Sequence, residues 1–202
     1  MPEISYILVH GGHNDSSVWN GVIPFLKEAG CSVFAPTLAE PEKTTLEGHI
    51  REVCSLIEKN CPGKVILVGH SYAAMVITGV FSKMPDKISK LIYLDSAFPK
   101  SGDSLIGILK RCKVPVDSFG LIQKRPLTDR LFFDEEGVRR IPKIYVHCTK
   151  SEFLVAGKCT YEEIKRNAQK DNWVFYELES PHHCMKAMPK EVSKIILGKY
   201  MQ

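Results

Sequence analysis

An alternation constrains this chain more than any other feature. Short, almost wholly apolar runs take turns with stretches of helical period. "SYILVH" (5–10), "SVFAP" (32–36), "KVILVG" (64–69), "KLIYLD" (90–95), "KIYVHC" (143–148) and "NWVFYELE" (172–179) read as six strands. The first five carry too few polar residues to leave one face in water, so they predict strands buried on both faces of a parallel sheet. Between the strands, Leu46, Ile50, Val53, Cys54 and Ile57 share one helix face, and so do Val192, Ile195, Ile196 and Tyr200 further on. Thr44 with Glu47, and Thr160 with Glu163, have the spacing of capping boxes that start helices. Pro24 falls inside the first helical pattern and leaves its start undefined. Such an order predicts an α/β fold with right-handed crossovers, built on a mostly parallel sheet of about six strands flanked by helices.

One stretch departs from the pattern. Residues 101–140 hold no strand of the same quality, and a long insertion of this kind inside a compact unit reads as a short lid over a site. With 202 residues in all, the expectation is one domain over residues 1–202. Charge excludes some function classes. The 27 basic and 23 acidic residues leave a net charge of only +4, and Lys186, Lys190, Lys194 and Lys199 are spread along a helix rather than massed, so no nucleic-acid partner is expected. Seven cysteines, an odd number with no C-x-x-C pair, argue against a disulfide framework. "MPEISYILVHGG" enters a strand at once instead of a secretory leader, and no apolar run reaches the roughly 18 residues that span a bilayer. The expectation is a reduced, cytoplasmic, soluble protein.

In open α/β sheets, ligands bind at the carboxyl ends of the strands. Ser71 sits there, two residues past the third strand, in Gly69-His70-Ser71-Tyr72-Ala73. A nucleophile elbow needs small residues two before and two after its serine, because the turn is tight and packs on its neighbours. Ala73 in place of glycine adds one methyl group. The bare pattern is common by chance, but a strand ahead of it and a helical "SYAAMVITGVFSKM" behind it supply the required setting. His10-Gly11-Gly12 ends the first strand as a glycine-rich turn. It would let the N–H of Gly12 join that of Tyr72 as an oxyanion hole. Gly11 and Trp19 are expected to contact substrate. After the last strand, His182 and His183 stand at the sheet edge, and the order Ser, acid, His is that of an esterase triad. A metal site on His182, His183 and Cys184 is not expected, since adjacent residues seldom converge on one ion.

These marks together resemble the α/β-hydrolase superfamily, and within it the group of plant methylesterases, hydroxynitrile lyases and short bacterial esterases. The resemblance rests on "LVHGG" with Trp19 nine residues after His10, "VGHSYA", "LIYLDSAFP", "IPKIYVHCT" and the H-x-x-M-x-x-x-P of His182, Met185 and Pro189. That last motif selects His182 over His183. The resemblance implies the α/β-hydrolase fold, a serine hydrolase that cleaves a small carboxylic ester through an acyl-enzyme, and no cofactor. It also brings a difficulty. The group's acid follows the "CT" strand as "CTxD", and here that position is Ser151. Two acids are near in sequence: Glu152, one residue later, and Asp95, which closes the preceding strand as in pancreatic-type lipases. Both remain candidates. Two other functions are weighed against esterase action. A hydroxynitrile lyase would carry Thr where Gly11 stands and Lys where His183 stands. A ligand-binding protein that has lost turnover would account for the missing Asp. Phe119, Leu121, Phe132 and Phe133 are candidate pocket residues in the lid.

Overall fold

The computed structural model describes residues 4–116, 124–168 and 171–200. All six expected strands occur: β1 (Ser5–Val9), β2 (Ser32–Phe34), β3 (Val65–His70), β4 (Ile88–Leu94), β5 (Lys143–Cys148) and β6 (Trp173–Leu178). They form one sheet in the order β2-β1-β3-β4-β5-β6, every pair parallel. The strand period of two splits the apolar residues between two cores. Ile7, Val9, Val65, Leu67, Leu91, Tyr93 and Tyr145 face one side, while Leu8, Ile66, Val68, Ile92, Leu94, Ile144 and Val146 face the other. Burial on both faces is the physical reason these runs had to be nearly continuous in apolar residues.

The helices are α1 (Ile23–Glu28), α2 (Leu46–Asn60), α3 (Ala73–Lys83), α4 (Leu105–Arg111), α5 (Arg125–Thr128), α6 (Glu135–Arg140), α7 (Leu154–Asn167), α8 (Cys184–Ala187) and α9 (Pro189–Ile196). The apolar stripe of α2 is buried as the spacing predicts, and it carries His49 as well. α3 is buried along almost its whole length. A Cβ on Gly79 would come within 2.3 Å of Ile50 Cδ1, so this glycine is what lets α3 cross α2 so closely. Pro24 occupies the first turn of α1, where its missing N–H costs nothing.

Three expectations need correction. α2 is capped by Thr45, whose side chain accepts from the Gly48 N–H at 3.0 Å, so the cap lies one residue past Thr44. Thr160 starts no helix. It lies inside α7, and its hydroxyl contacts the Ser96 and Gly157 carbonyls, each at 3.2 Å. Cys112 and Cys159 form a disulfide between the end of α4 and α7, although no disulfide was expected. Among the described residues, no helix is long and apolar enough to cross a membrane.

Candidate active site

The chain runs from β1 out to β2, then returns to place β3 on the other side of β1, so the carboxyl ends of β1 and β3 border a crevice. Ser71 projects there. Its φ of 54° lies in the left-handed region that a non-glycine residue adopts only when the surroundings impose it. They do so from both sides. Ser71 N–H donates to the Leu94 carbonyl at 3.1 Å, and α3 begins two residues later. Gly69 is required because a Cβ there would stand 2.9 Å from the Ala73 carbonyl oxygen.

The register of β3 and β4 pairs His70 with Leu94, so Ser71 and Asp95 leave adjacent strands side by side. Asp95 also has positive φ, 42°, and is 3% exposed. Its Oδ2 accepts from His182 Nδ1 at 2.7 Å, and it also accepts from the Ser151 hydroxyl. Its Oδ1 accepts from the Cys148 N–H at 3.2 Å. A carboxylate only accepts, so Nδ1 of His182 carries the proton and Nε2 is left as a base. Ser151, at the position where the resembled group carries its acid, is a donor to Asp95 and holds the Phe153 N–H at 3.1 Å. Glu152 lies elsewhere: it is exposed, and its Oε2 accepts from the backbone N–H of His182 at 3.2 Å, not from the ring. Its own N–H and that of His182 hold its carboxyl below the usual range.

Ser71, Asp95 and His182 border one cavity of about 260 Å³, closed by Leu105 and Leu109 of α4, Leu127 of α5, and Phe153. Gly12 and Tyr72 border it too. Neither backbone N–H has a protein acceptor among the described residues. Gly11 is buried against the turn that carries Ser71, where a Cβ would sit 2.9 Å from His70 Nδ1 and 3.0 Å from Ser71 Cβ, and it borders a neighbouring cavity of about 310 Å³. Trp19 was expected to contact substrate. It is wholly buried among Val18, Val22, Leu26 and Met185, and does not line the cavity. Of the four candidate pocket residues between positions 101 and 140, Phe132 is exposed and Phe133 lines a separate cavity of about 130 Å³, while Phe119 and Leu121 lie outside the described residues.

Two neighbouring histidines escaped the sequence reading as structural parts. His70 Nε2 donates to the His182 carbonyl at 3.0 Å, anchoring the loop that carries His182, and burial lowers its pKa far below the usual imidazole value. His183 Nε2 donates to Asn14 Oδ1 at 3.2 Å; burial lowers its pKa too, with a further contribution from His182. Asn14 Nδ2 in turn donates to the Gly12 carbonyl at 2.8 Å, tying the His182 loop to the glycine turn after β1. Among the described residues no group of three or more His, Cys, Asp or Glu is gathered to hold a metal ion.

Comparison with known proteins adds a frame. Carbendazim hydrolyzing esterase from Nocardioides sp. (strain SG-4G) is 40% identical over 119 residues, 55% of this chain and 49% of that protein. Salicylic acid-binding protein 2 from Nicotiana tabacum is 27% identical over 169 residues, 75% of this chain and 64% of that protein. The chain spans about half the length, or less, of the first curated relatives it matches. Among solved structures, an extracellular α/β-hydrolase from a Paenibacillus species has a TM-score of 0.79 at 20% identity over the whole of both chains. Polyneuridine aldehyde esterase has a TM-score of 0.76 at 19% identity, over 98% of this chain and 99% of its own. These likenesses show the fold, and the profile of the alpha/beta hydrolase family matches residues 6–147, from the first strand through the fifth. A match over that much of the sheet, elbow included, makes this chain a member of the alpha/beta hydrolase family.

Proposed function

We propose that the protein is a cofactor-free carboxylesterase acting through Ser71, His182 and Asp95. The observation that carries the reading is the 2.7 Å contact of Asp95 with His182 Nδ1, beside a Ser71 held at positive φ on the same cavity. His182 Nε2 takes the Ser71 proton as Oγ attacks the ester carbonyl, and the imidazolium that forms is stabilised by buried Asp95. The oxyanion is held by the N–H groups of Gly12 and Tyr72, next to the positive end of α3. His182 returns the proton to the departing alcohol. Water then attacks the acyl-enzyme by the same steps in reverse.

A small ester suits a cavity of about 260 Å³ with leucines and a phenylalanine on its wall. No nucleic-acid partner enters this reading. The binding-protein alternative was motivated by the missing Asp at position 151, and Asp95 removes that motive. The lyase alternative needs a cation beside the base, where neutral His183 stands instead. A cytoplasmic setting has the Cys112–Cys159 bond against it, because such bonds persist mainly in oxidising compartments.

The test is intact mass after exposure to a fluorophosphonate. One adduct per native chain is expected, absent in Ser71→Ala, formed far more slowly in Asp95→Asn, and formed at near-native rate in Glu152→Gln. A folded native chain that takes no adduct would sink the esterase reading.

A further inference from the structure

His49 has no part in the chemistry above, yet it is tied to it. It is 2% exposed on the inner face of α2. Its Nε2 lies 2.9 Å from the Ala39 carbonyl oxygen, an atom that can only accept, so the ring proton is on Nε2. In the neutral ring Nδ1 is then the acceptor. It lies 2.8 Å from the Tyr72 hydroxyl, which must donate to it. Ala39 is itself held, its N–H donating to Glu52 Oε2 at 3.1 Å one turn further along α2. The tautomer of a buried imidazole, and with it the direction of the Tyr72 O–H, is thus set by a fixed backbone carbonyl.

Tyr72 is the residue whose N–H faces the developing oxyanion. It is the N-cap of α3 and makes no side-chain cap bond there, while its ring is 4% exposed. Burial raises its phenol far above the working range, so the hydroxyl stays a donor. Apart from the turn backbone, the polar contact that orients this residue is the one with His49. His49 borders a neighbouring lobe of about 310 Å³ beyond Gly12 and does not line the Ser71 cavity.

We infer that His49 is a positioning residue for the oxyanion hole: through the Tyr72 hydroxyl it fixes the aim of the Tyr72 N–H, and so governs turnover without touching the reacting ester. The inference rests on the esterase reading. An oxyanion donor acts only if it points at where charge develops, so loosening it costs transition-state stabilisation and leaves ground-state binding alone.

The experiment measures p-nitrophenyl acetate kinetics and the affinity of a trifluoromethyl ketone, which forms an oxyanion-bearing adduct with an activated serine. His49→Leu should lower kcat by about tenfold or more with KM within about twofold, and weaken the ketone in parallel. Tyr72→Phe should do the same, and the double variant no more than either single one, because both cut one link. His49→Gln, whose amide offers an acceptor and a donor, should recover most of kcat. A folded His49→Leu protein with native kcat and native ketone affinity would overturn the inference, as would a loss confined to KM or losses that multiply in the double variant. Should His49→Leu not fold, native kcat in Tyr72→Phe overturns it by itself. A native chain that neither turns over the ester nor takes a fluorophosphonate refutes the esterase reading, and this inference falls with it; native turnover with indifferent variants refutes the positioning role alone.

Discussion

An amide at position 95 would keep the shape of the carboxylate while removing its charge and one of its acceptors, freeing the His182 ring to take the wrong tautomer. Asp95→Asn is expected to lower kcat by roughly three to four orders of magnitude. Ser151→Ala removes one donor from a buried charge and should cost about tenfold. Glu152→Gln, altered at an exposed carboxylate, should stay within about fivefold of native. Saturating p-nitrophenyl acetate would rank the three, and equal losses in Asp95→Asn and Glu152→Gln would refute the assignment. The sequence offered both residues for the acid, Asp95 ahead of Glu152, and left open that neither serves. What separates them is backbone shape: a left-handed turn at Asp95 and a β5 loop that aims Ser151 inward and Glu152 outward. Neither is written in spacing. His49 was hidden for a different reason. It falls three residues after Leu46 on the same stripe, and a lone polar residue on a buried face was the available signal.

Elements were more legible than contacts because their cues are local. Six apolar runs gave six strands, and the small residues around Ser71 marked the elbow, since Gly69 meets the first turn of α3 with no room for a side chain. Helix starts were less legible. Thr44 and Thr45 stand side by side, and only the path of the preceding loop decides which one caps α2. The glycine turn after β1 shows how neighbouring positions diverge. An added Cβ at Gly11 runs into His70 and Ser71, whereas one at Gly12 meets nothing nearer than Tyr72 Cβ at 4.0 Å. Gly11→Ala should therefore destabilise the protein by about 1–3 kcal/mol in urea unfolding, with Gly12→Ala close to native. The reverse ranking would mean that the turn sits differently beneath the elbow.

At the scale of the whole molecule, the piece least legible was the covalent tie between the end of α4 and α7. An odd cysteine count argued against a framework, but one pair suffices, and Cys112 and Cys159 are 47 residues apart in sequence. Their proximity, with Cα atoms 5.8 Å apart, is a matter of tertiary packing that no local pattern in the sequence records. α4 contributes Leu105 and Leu109 to the cavity wall, and Phe153 and Gly157 stand at the start of α7. Reduction by dithiothreitol, or Cys112→Ser, should lower stability by about 2–4 kcal/mol. Thermal unfolding with and without reductant checks this, and an unchanged midpoint in both would count against a bonded pair.

The placement of the acid has a further consequence for how such a protein can change. Ser71 and Asp95 close neighbouring strands of one β-α-β unit, β3-α3-β4, and the inserted stretch with α4, α5 and α6 comes only after that unit ends. An acid on the loop after β5 would lie beyond the insertion, its aim exposed to every alteration of that stretch's length. With Asp95 as the acid of the proposed triad, its spacing from Ser71 is fixed before the inserted stretch begins. The inserted stretch then becomes an exchangeable cassette, through which the shape of the pocket can drift while Ser71 and Asp95 keep their spacing.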